Sequence, residues 1–162
     1  MILGMNRALP IPLIDRFGRT HTSLRLSVTD RCNIRCYYCM PDRDAEFVPK
    51  DRILSFEEMH RLARLLVQQG GIRDIRITGG EPLVRQQIPR LIEMLAAIEG
   101  LEDLSLTTNG MLLADQAQAL RQAGLQRLNI SLDTLDAAIF RKVTRRDGLE
   151  KTLEGIDAAI EV

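Results

Sequence analysis

A chain of 162 residues with 45% hydrophobic and 27% charged side chains is long enough for one domain with a real core, and too apolar for a disordered segment. Its 22 basic and 22 acidic residues cancel, so no general basic surface suggests nucleic acid as a partner, and no apolar run approaches the ~20 residues of a membrane span. The opening MILGMNRALPIPLI lacks the charged start and continuous apolar segment of a secretory leader, and free, closely spaced thiols further on suit a reducing cytoplasm.

Residues 1–23 are predicted irregular, with Pro10, Pro12 and Gly18 as breakers. LRLSVT at 24–29 alternates with period two and predicts a strand. A loop holding every cysteine follows and runs on through Pro41 and Pro49. SFEE at 55–58 is a capping box, with Ser55 as N-cap and Glu58 three residues on. The helix it opens puts Met59, Leu62, Ala63 and Leu66 on one face and ends at Gly70-Gly71. DIRIT at 74–78 is a second strand, followed by Gly79-Gly80-Glu81-Pro82. The next helix carries Ile88, Leu91, Ile92, Leu95 and Ile98 on one face, and Pro89 fits only near its first turn. DLSLT at 103–107 is a third strand, followed by Asn109-Gly110; Leu113, Ala117 and Leu120 line a helix that Gly124 stops. RLNIS at 127–131 is a fourth strand, and two helices follow near 136–144 and 149–161. In the last, Leu149, Leu153, Ile156 and Ile160 share a face.

Strands alternating with helices four times predict an α/β fold with a parallel sheet and right-handed crossovers. Strands covered on both faces read as continuous apolar runs, and these do not. Leu24, Leu26, Val28, Ile75, Ile77, Leu104, Leu106, Leu128 and Ile130 share one face, which must meet the helices. The other face carries Arg25, Ser27 and Thr29, then Arg76 and Thr78, Ser105 and Thr107, Asn129 and Ser131. It is either the lumen of a barrel built for a polar ligand or a sheet face open to water. The barrel is favoured because the special turns all follow the C-terminal ends of strands, where parallel α/β folds place their sites. Arg25 and Arg76, on separate strands, would converge on an anion with a geometry suited to phosphate or carboxylate.

Cys32, Cys36 and Cys39 are the chain's three cysteines. An odd number of thiols on one short loop is no disulfide framework but brings three sulfurs to one point, as a metal or cluster requires. Zinc would want a fourth ligand, and His21 and His60 lack ligand spacing to the loop. An iron–sulfur cluster held by three thiolates leaves one iron open to a non-protein ligand. Tyr38 could pack on a ligand ring beside the cluster or simply shield it; Tyr37 reads as shielding. Gly79-Gly80 and Asn109-Gly110 are turns by default, and absent side chains let backbone approach a ligand. Thr107, Ser131 and Asp133 sit at strand ends where a site would lie, and the charge run at 141–147 reads as a solvated helix face.

DRFGR at 15–19, LRLSVTDRCNIRCYYCMP at 24–41, IRITGGEPLVR at 75–85, LTTNG at 106–110 and LNISLD at 128–133 resemble the radical S-adenosylmethionine (SAM) superfamily, and within it the GTP 3',8-cyclases of molybdenum-cofactor biosynthesis. The resemblance implies a 4Fe-4S cluster on Cys32, Cys36 and Cys39, with the amino and carboxylate groups of SAM on the open iron. It implies SAM contacts at Tyr38, Gly80 and Ser131, and GTP contacts at Arg25, Arg76 and Thr107. The implied reaction is reductive cleavage of SAM to a 5'-deoxyadenosyl radical, which takes hydrogen from the ribose 3' carbon of GTP; that carbon then adds to guanine C8, giving 3',8-cyclo-7,8-dihydro-GTP. An electron donor is required, and a homodimer is compatible with the resemblance. The family barrel has six β/α units, of which four strands are visible; its second cluster, on three cysteines near the C-terminus, and its Gly-Gly tail are not among these residues. The expectation is a partial (β/α) barrel, with 1–162 the N-terminal portion of a radical SAM core domain whose full cyclisation needs the remaining parts. Another radical SAM activity, in peptide or tetrapyrrole maturation, and a non-catalytic iron–sulfur or zinc module are the alternatives.

Overall fold

The computed structural model describes residues 11–40 and 46–162; the breaker predicted at Pro10 and the loop position Pro41 lie outside them. Residues 1–23 were expected to be irregular throughout, but a short antiparallel hairpin pairs β1 (Leu13–Ile14) with β2 (Thr20–His21). Its turn is the DRFGR stretch. The Asp15 carboxylate accepts from the Phe17 and Arg19 amides at 2.8 and 3.0 Å and from Arg19 Nε at 2.7 Å, and Gly18 supplies the positive φ of +80°. A turn of this kind depends on side-chain bonds, so strand periodicity could not reveal it.

The four predicted strands are present as β3 (Ser23–Ser27), β4 (Asp74–Thr78), β5 (Asp103–Thr108) and β6 (Arg127–Ile130), all parallel, in the order β3-β4-β5-β6. Register aligns Leu26, Ile77, Leu106 and Leu128 across the sheet, and Leu24, Ile75 and Leu104 two residues earlier. Ile75, Ile77, Leu104 and Leu106 are each at most 1% exposed. Burial of such side chains is worth about 1.5–3 kcal/mol apiece. A one-residue slip of β4 would send arginine and threonine into the core in their place, so the alternation fixes the register.

The described residues form five α-helices: α1 (Phe56–Gly70), α2 (Ile88–Ala96), α3 (Ala117–Gln122), α4 (Ala137–Thr144) and α5 (Leu149–Glu161); α1, α2, α3 and α5 pack on the core over the apolar face, and α4 lies against the cysteine loop. Both halves of the α1 capping box form: Ser55 Oγ accepts from the Glu58 amide at 3.2 Å, and Glu58 Oε2 accepts from the Ser55 amide at 2.7 Å. The buried stripe of α1 is Phe56, Met59, Ala63, Val67 and Gly70, while the predicted Leu62 is 41% exposed. Pro89 sits in the first turn of α2 as expected. In α5 the predicted face is present in part: Leu149 is buried and Ile156 half-buried, but Thr152 and Gly155 are buried beside them, whereas Leu153 and Ile160 are 36% and 79% exposed. A Cβ on Gly155 would run into the Gly110 carbonyl, so the helix presses its backbone side onto the loop after β5. No described helix is long and apolar enough to cross a membrane.

Candidate functional site

The cysteine loop begins where β3 ends and is held from both sides. The Arg35 and Tyr37 amides donate to the Thr144 and Val143 carbonyls at 2.8 and 3.1 Å, docking the loop on the C-terminal end of α4. The Cys39 and Met40 amides both donate to the Cys36 carbonyl, a single helical turn that spaces the second and third cysteines. On the other side, the Gly80 amide donates to the Thr29 carbonyl at 2.6 Å and the Glu81 amide to the Arg31 carbonyl at 2.8 Å. A Cβ on Gly79 would collide with the Thr29 carbonyl oxygen, and one on Gly80 with that of Arg31. These two glycines let the loop after β4 lie backbone to backbone on the cysteine loop. Thr29, predicted on the polar face, is only 7% exposed beside this contact, and β3 ends two residues earlier than its sequence pattern suggested.

Glu81 joins the third loop to the second. It is 1% exposed and accepts from the Leu83 amide, the Thr108 hydroxyl and the Asn109 amide at 3.0, 2.7 and 2.8 Å. Burial pushes its carboxyl above the usual glutamate range, against those three bonds. Asn109 then reaches the cysteine loop. Its Nδ2 donates to Asn33 Oδ1 at 2.7 Å and lies 3.9 Å from Cys32 Sγ, while its Oδ1 accepts from the Met111 amide at 3.0 Å. Sequence reading took Glu81 and Asn109 for turn residues. Their signal was chemical: an unpaired carboxylate and amide between buried strand ends need partners.

Tyr38 donates its hydroxyl to Asp133 Oδ2 at 2.8 Å, a bond that pushes the phenol well above its usual range. The Tyr37 and Tyr38 rings meet edge to face, and both are more than half exposed. Cys36, Tyr38, Asn109, Ser131 and Asp133 line one crevice, bringing the cysteine loop to the end of β6. Burial pushes the Cys32 and Cys36 thiols up, and two buried atoms beside them, Asp30 Oδ1 and Arg31 Nε, have no hydrogen-bond partner among the described residues.

Below this mouth the polar face is ordered in rows by the register. Thr29, Gly80, Asn109 and Ser131 continue the strands into the top level. Ser27, Thr78, Thr107 and Asn129 form the next row, and Arg25, Arg76, Ser105 and Arg127 the row beneath; Ser23, Asp74 and Asp103 make the floor. Parallel strands rise about 3.3 Å per residue, so the arginine row lies roughly 13 Å below the level of Gly80 and Ser131. The floor and arginine rows line an open cavity of about 370 Å³. The Arg25 and Arg76 side chains make no hydrogen bond or ion pair among the described residues. Arg127, in the same row, was not assigned to the polar face from the sequence, although it shares the parity of Asn129 and Ser131. Ser105 reaches the cavity wall but is 1% exposed. In the 141–147 run Arg141, Lys142, Arg146 and Asp147 are exposed as expected, with Arg141 and Asp147 paired at 3.5 Å, whereas Thr144 is buried and holds the cysteine loop together with Val143.

The donor set can be tested against a metal group. Among the described residues no three His, Cys, Asp or Glu side chains come close enough to share a single ion. The chemistry of the donors fits an iron–sulfur cluster: three thiols on one loop, two of them spaced by the single turn that the Cys36 carbonyl closes.

Residues 26–162 match the radical SAM superfamily. The chain is 66% identical over 156 residues to the GTP 3',8-cyclase of Rhodopirellula baltica, covering 96% of this chain and 44% of that protein. It is 50% identical over 151 residues to molybdenum cofactor biosynthesis protein 1 of Drosophila melanogaster, covering 93% of this chain and 26% of that one. It thus spans less than half the length of these curated relatives. Among solved structures, Streptococcus suis SuiB bound to S-adenosylmethionine superposes with a TM-score of 0.69 at 17% identity, over 86% of this chain and 31% of that one. Methylornithine synthase (PylB) superposes with a TM-score of 0.66 at 17% identity, over 86% and 41%. These two speak for the fold alone, a parallel α/β architecture of which the four-stranded sheet is part of a barrel. The superfamily match starts within β3 and takes in the cysteine loop, the other three strands of the sheet and all five helices; the chain belongs to the radical SAM superfamily, with a 4Fe-4S cluster and S-adenosylmethionine as its cofactors.

Proposed function

We propose that residues 1–162 are part of the radical SAM core of a GTP 3',8-cyclase, an enzyme of the lyase type that converts GTP to 3',8-cyclo-7,8-dihydro-GTP for molybdenum-cofactor biosynthesis. The single observation that carries this reading is the vertical order of the polar face. The residues assigned to SAM, Gly80 and Ser131, stand at the mouth beside the cysteine loop, with Tyr38 bonded across it. Those assigned to GTP stand below: Thr107 one row down, Arg25 and Arg76 one row further. Two unpaired guanidinium groups at that depth suit a polyphosphate, and the separation leaves room for a nucleoside between anion and cluster.

Cys32, Cys36 and Cys39 would hold the cluster, and their loop is pre-positioned by α4 and by the glycine turn after β4. When bound, the cluster and SAM supply the electron transfer and the hydrogen-abstracting radical. The chain's own residues do the rest. Glu81 and Asn109 fix the mouth, Tyr38 and Asp133 bridge it, and Arg25 and Arg76 orient the anionic end of the substrate. The reading adds an electron donor, a homodimer and a reducing cytoplasmic setting. It is supported by relatives named as GTP 3',8-cyclases at 51–66% identity.

Equilibrium binding of GTP tests the substrate assignment. Arg76→Ala is expected to weaken GTP binding at least about tenfold, the loss of one charge-assisted phosphate contact. Equal binding by Arg76→Ala and wild type would overturn the assignment to GTP and favour another radical SAM substrate.

A further inference from the structure

The arginine row holds three guanidinium groups, yet only two face the cavity unpaired. Arg127 Nε and Nη2 each donate to Asp103 at 2.6 Å, one nitrogen to each carboxylate oxygen. This two-pronged pair joins neighbouring strands diagonally, since Arg127 stands opposite Ser105 and Asp103 lies two residues lower on β5. Asp103 is the better buried partner, with a side chain 20% exposed against 61% for Arg127. Asp74, level with Asp103 on β4, adds a second carboxylate whose charge also acts on Arg127. Its own Oδ2 accepts the Ser23 hydroxyl at 3.1 Å and makes no ion pair. All of these residues line the same open cavity of about 370 Å³.

We propose that Asp103 is a specificity-setting residue of this cavity. By holding Arg127 in a two-pronged ion pair it withdraws the third guanidinium of the row, so that the cavity offers its anionic ligand two cations rather than three. The inference rests on the reading that the cavity binds the polyphosphate of a nucleotide. The consequence is a balance: the ligand is gripped by Arg25 and Arg76, and a third grip, which would favour longer or more highly charged anions, is kept back by the floor. The aligned fork geometry matters here, because the two carboxylate oxygens occupy the Nε–Nη2 edge of the Arg127 guanidinium and so fix the direction in which its remaining donors point.

Binding of GTP and of inorganic tripolyphosphate to the chain tests this. The variants are Arg76→Ala, Asp103→Asn, Asp74→Asn, Arg127→Gln and the double variant Asp103→Asn with Arg127→Gln. Asp103→Asn should bind tripolyphosphate about three- to tenfold more tightly than wild type, with a steeper salt dependence. The double variant should lose that gain. Asp74→Asn, which removes the same charge from the floor without freeing Arg127, should gain less. A gain from Asp74→Asn equal to that from Asp103→Asn, or one that survives in the double variant, would show a general field effect and overturn the proposal. Should Asp103→Asn not fold, Arg127→Gln alone decides. It should leave binding no stronger than wild type and cost less than Arg76→Ala, whereas a loss as large as that of Arg76→Ala means Arg127 already grips the ligand. If Arg76→Ala itself has no effect, the polyphosphate reading of the cavity fails; if it weakens binding while Asp103→Asn changes nothing, only the role of Asp103 fails.

Discussion

Gly80 has a reason to be glycine that needs no ligand. Its absent Cβ is what lets the turn after β4 rest on the Arg31 carbonyl of the cysteine loop. Replacing it by alanine forces backbone away from backbone. Gly80→Ala is expected to destabilise the chain by about 1–3 kcal/mol and to lower its iron content after reconstitution; thermal melting and iron analysis check both. Glu81 invites a pH measurement. Burial raises its carboxyl above the ordinary 4.5, so its contribution to stability is full below that value and is lost as pH rises through the raised one. The stability advantage of wild type over Glu81→Gln in urea unfolding should therefore shrink as pH rises above 4.5. An advantage that grows with pH contradicts the burial argument. Neither residue's structural part could be read from the chain alone, because each depends on which loops the fold places side by side.

At the scale of elements, the sequence was most legible where one local rule decides. Period-two alternation located β3 to β6 within two residues, and the SFEE capping box located the start of α1. Ser55→Ala is expected to cost about 1 kcal/mol by urea denaturation, with no change in cluster assembly, since the cap lies outside the loop contacts. Legibility failed where packing is set by absent side chains or by bonds distant in sequence. The α5 stripe was read from its leucines and isoleucines, yet Gly155 and Thr152 determine which side meets the Gly110 loop. The β1–β2 turn rests on the Asp15 carboxylate, not on hydrophobic pattern. The polar face carries Arg25 and Arg76 as the alternation predicts, and it extends to Arg127, which stands level with them at the start of β6. Its pairing with Asp103 needs the register between β5 and β6, which no single strand encodes.

Across the whole molecule, one sheet has two chemistries. Its apolar face is buried under α1, α2, α3 and α5, and its polar face descends from a thiol-bearing mouth to an arginine row. The loops at the mouth are tied to one another rather than to solvent: α4 to the cysteine loop, that loop to the glycine turn, and Glu81 to Asn109. This stitching ties the loop that carries the three cysteines to the loops after β4 and β5 and to α4. The most direct measurement is anaerobic reconstitution of the chain with iron and sulfide, followed by reduction in the presence of S-adenosylmethionine and assay for 5'-deoxyadenosine. The account predicts its release by wild type and its loss in Cys36→Ala. No release from a chain with a full cluster, or undiminished release from Cys36→Ala, would contradict it.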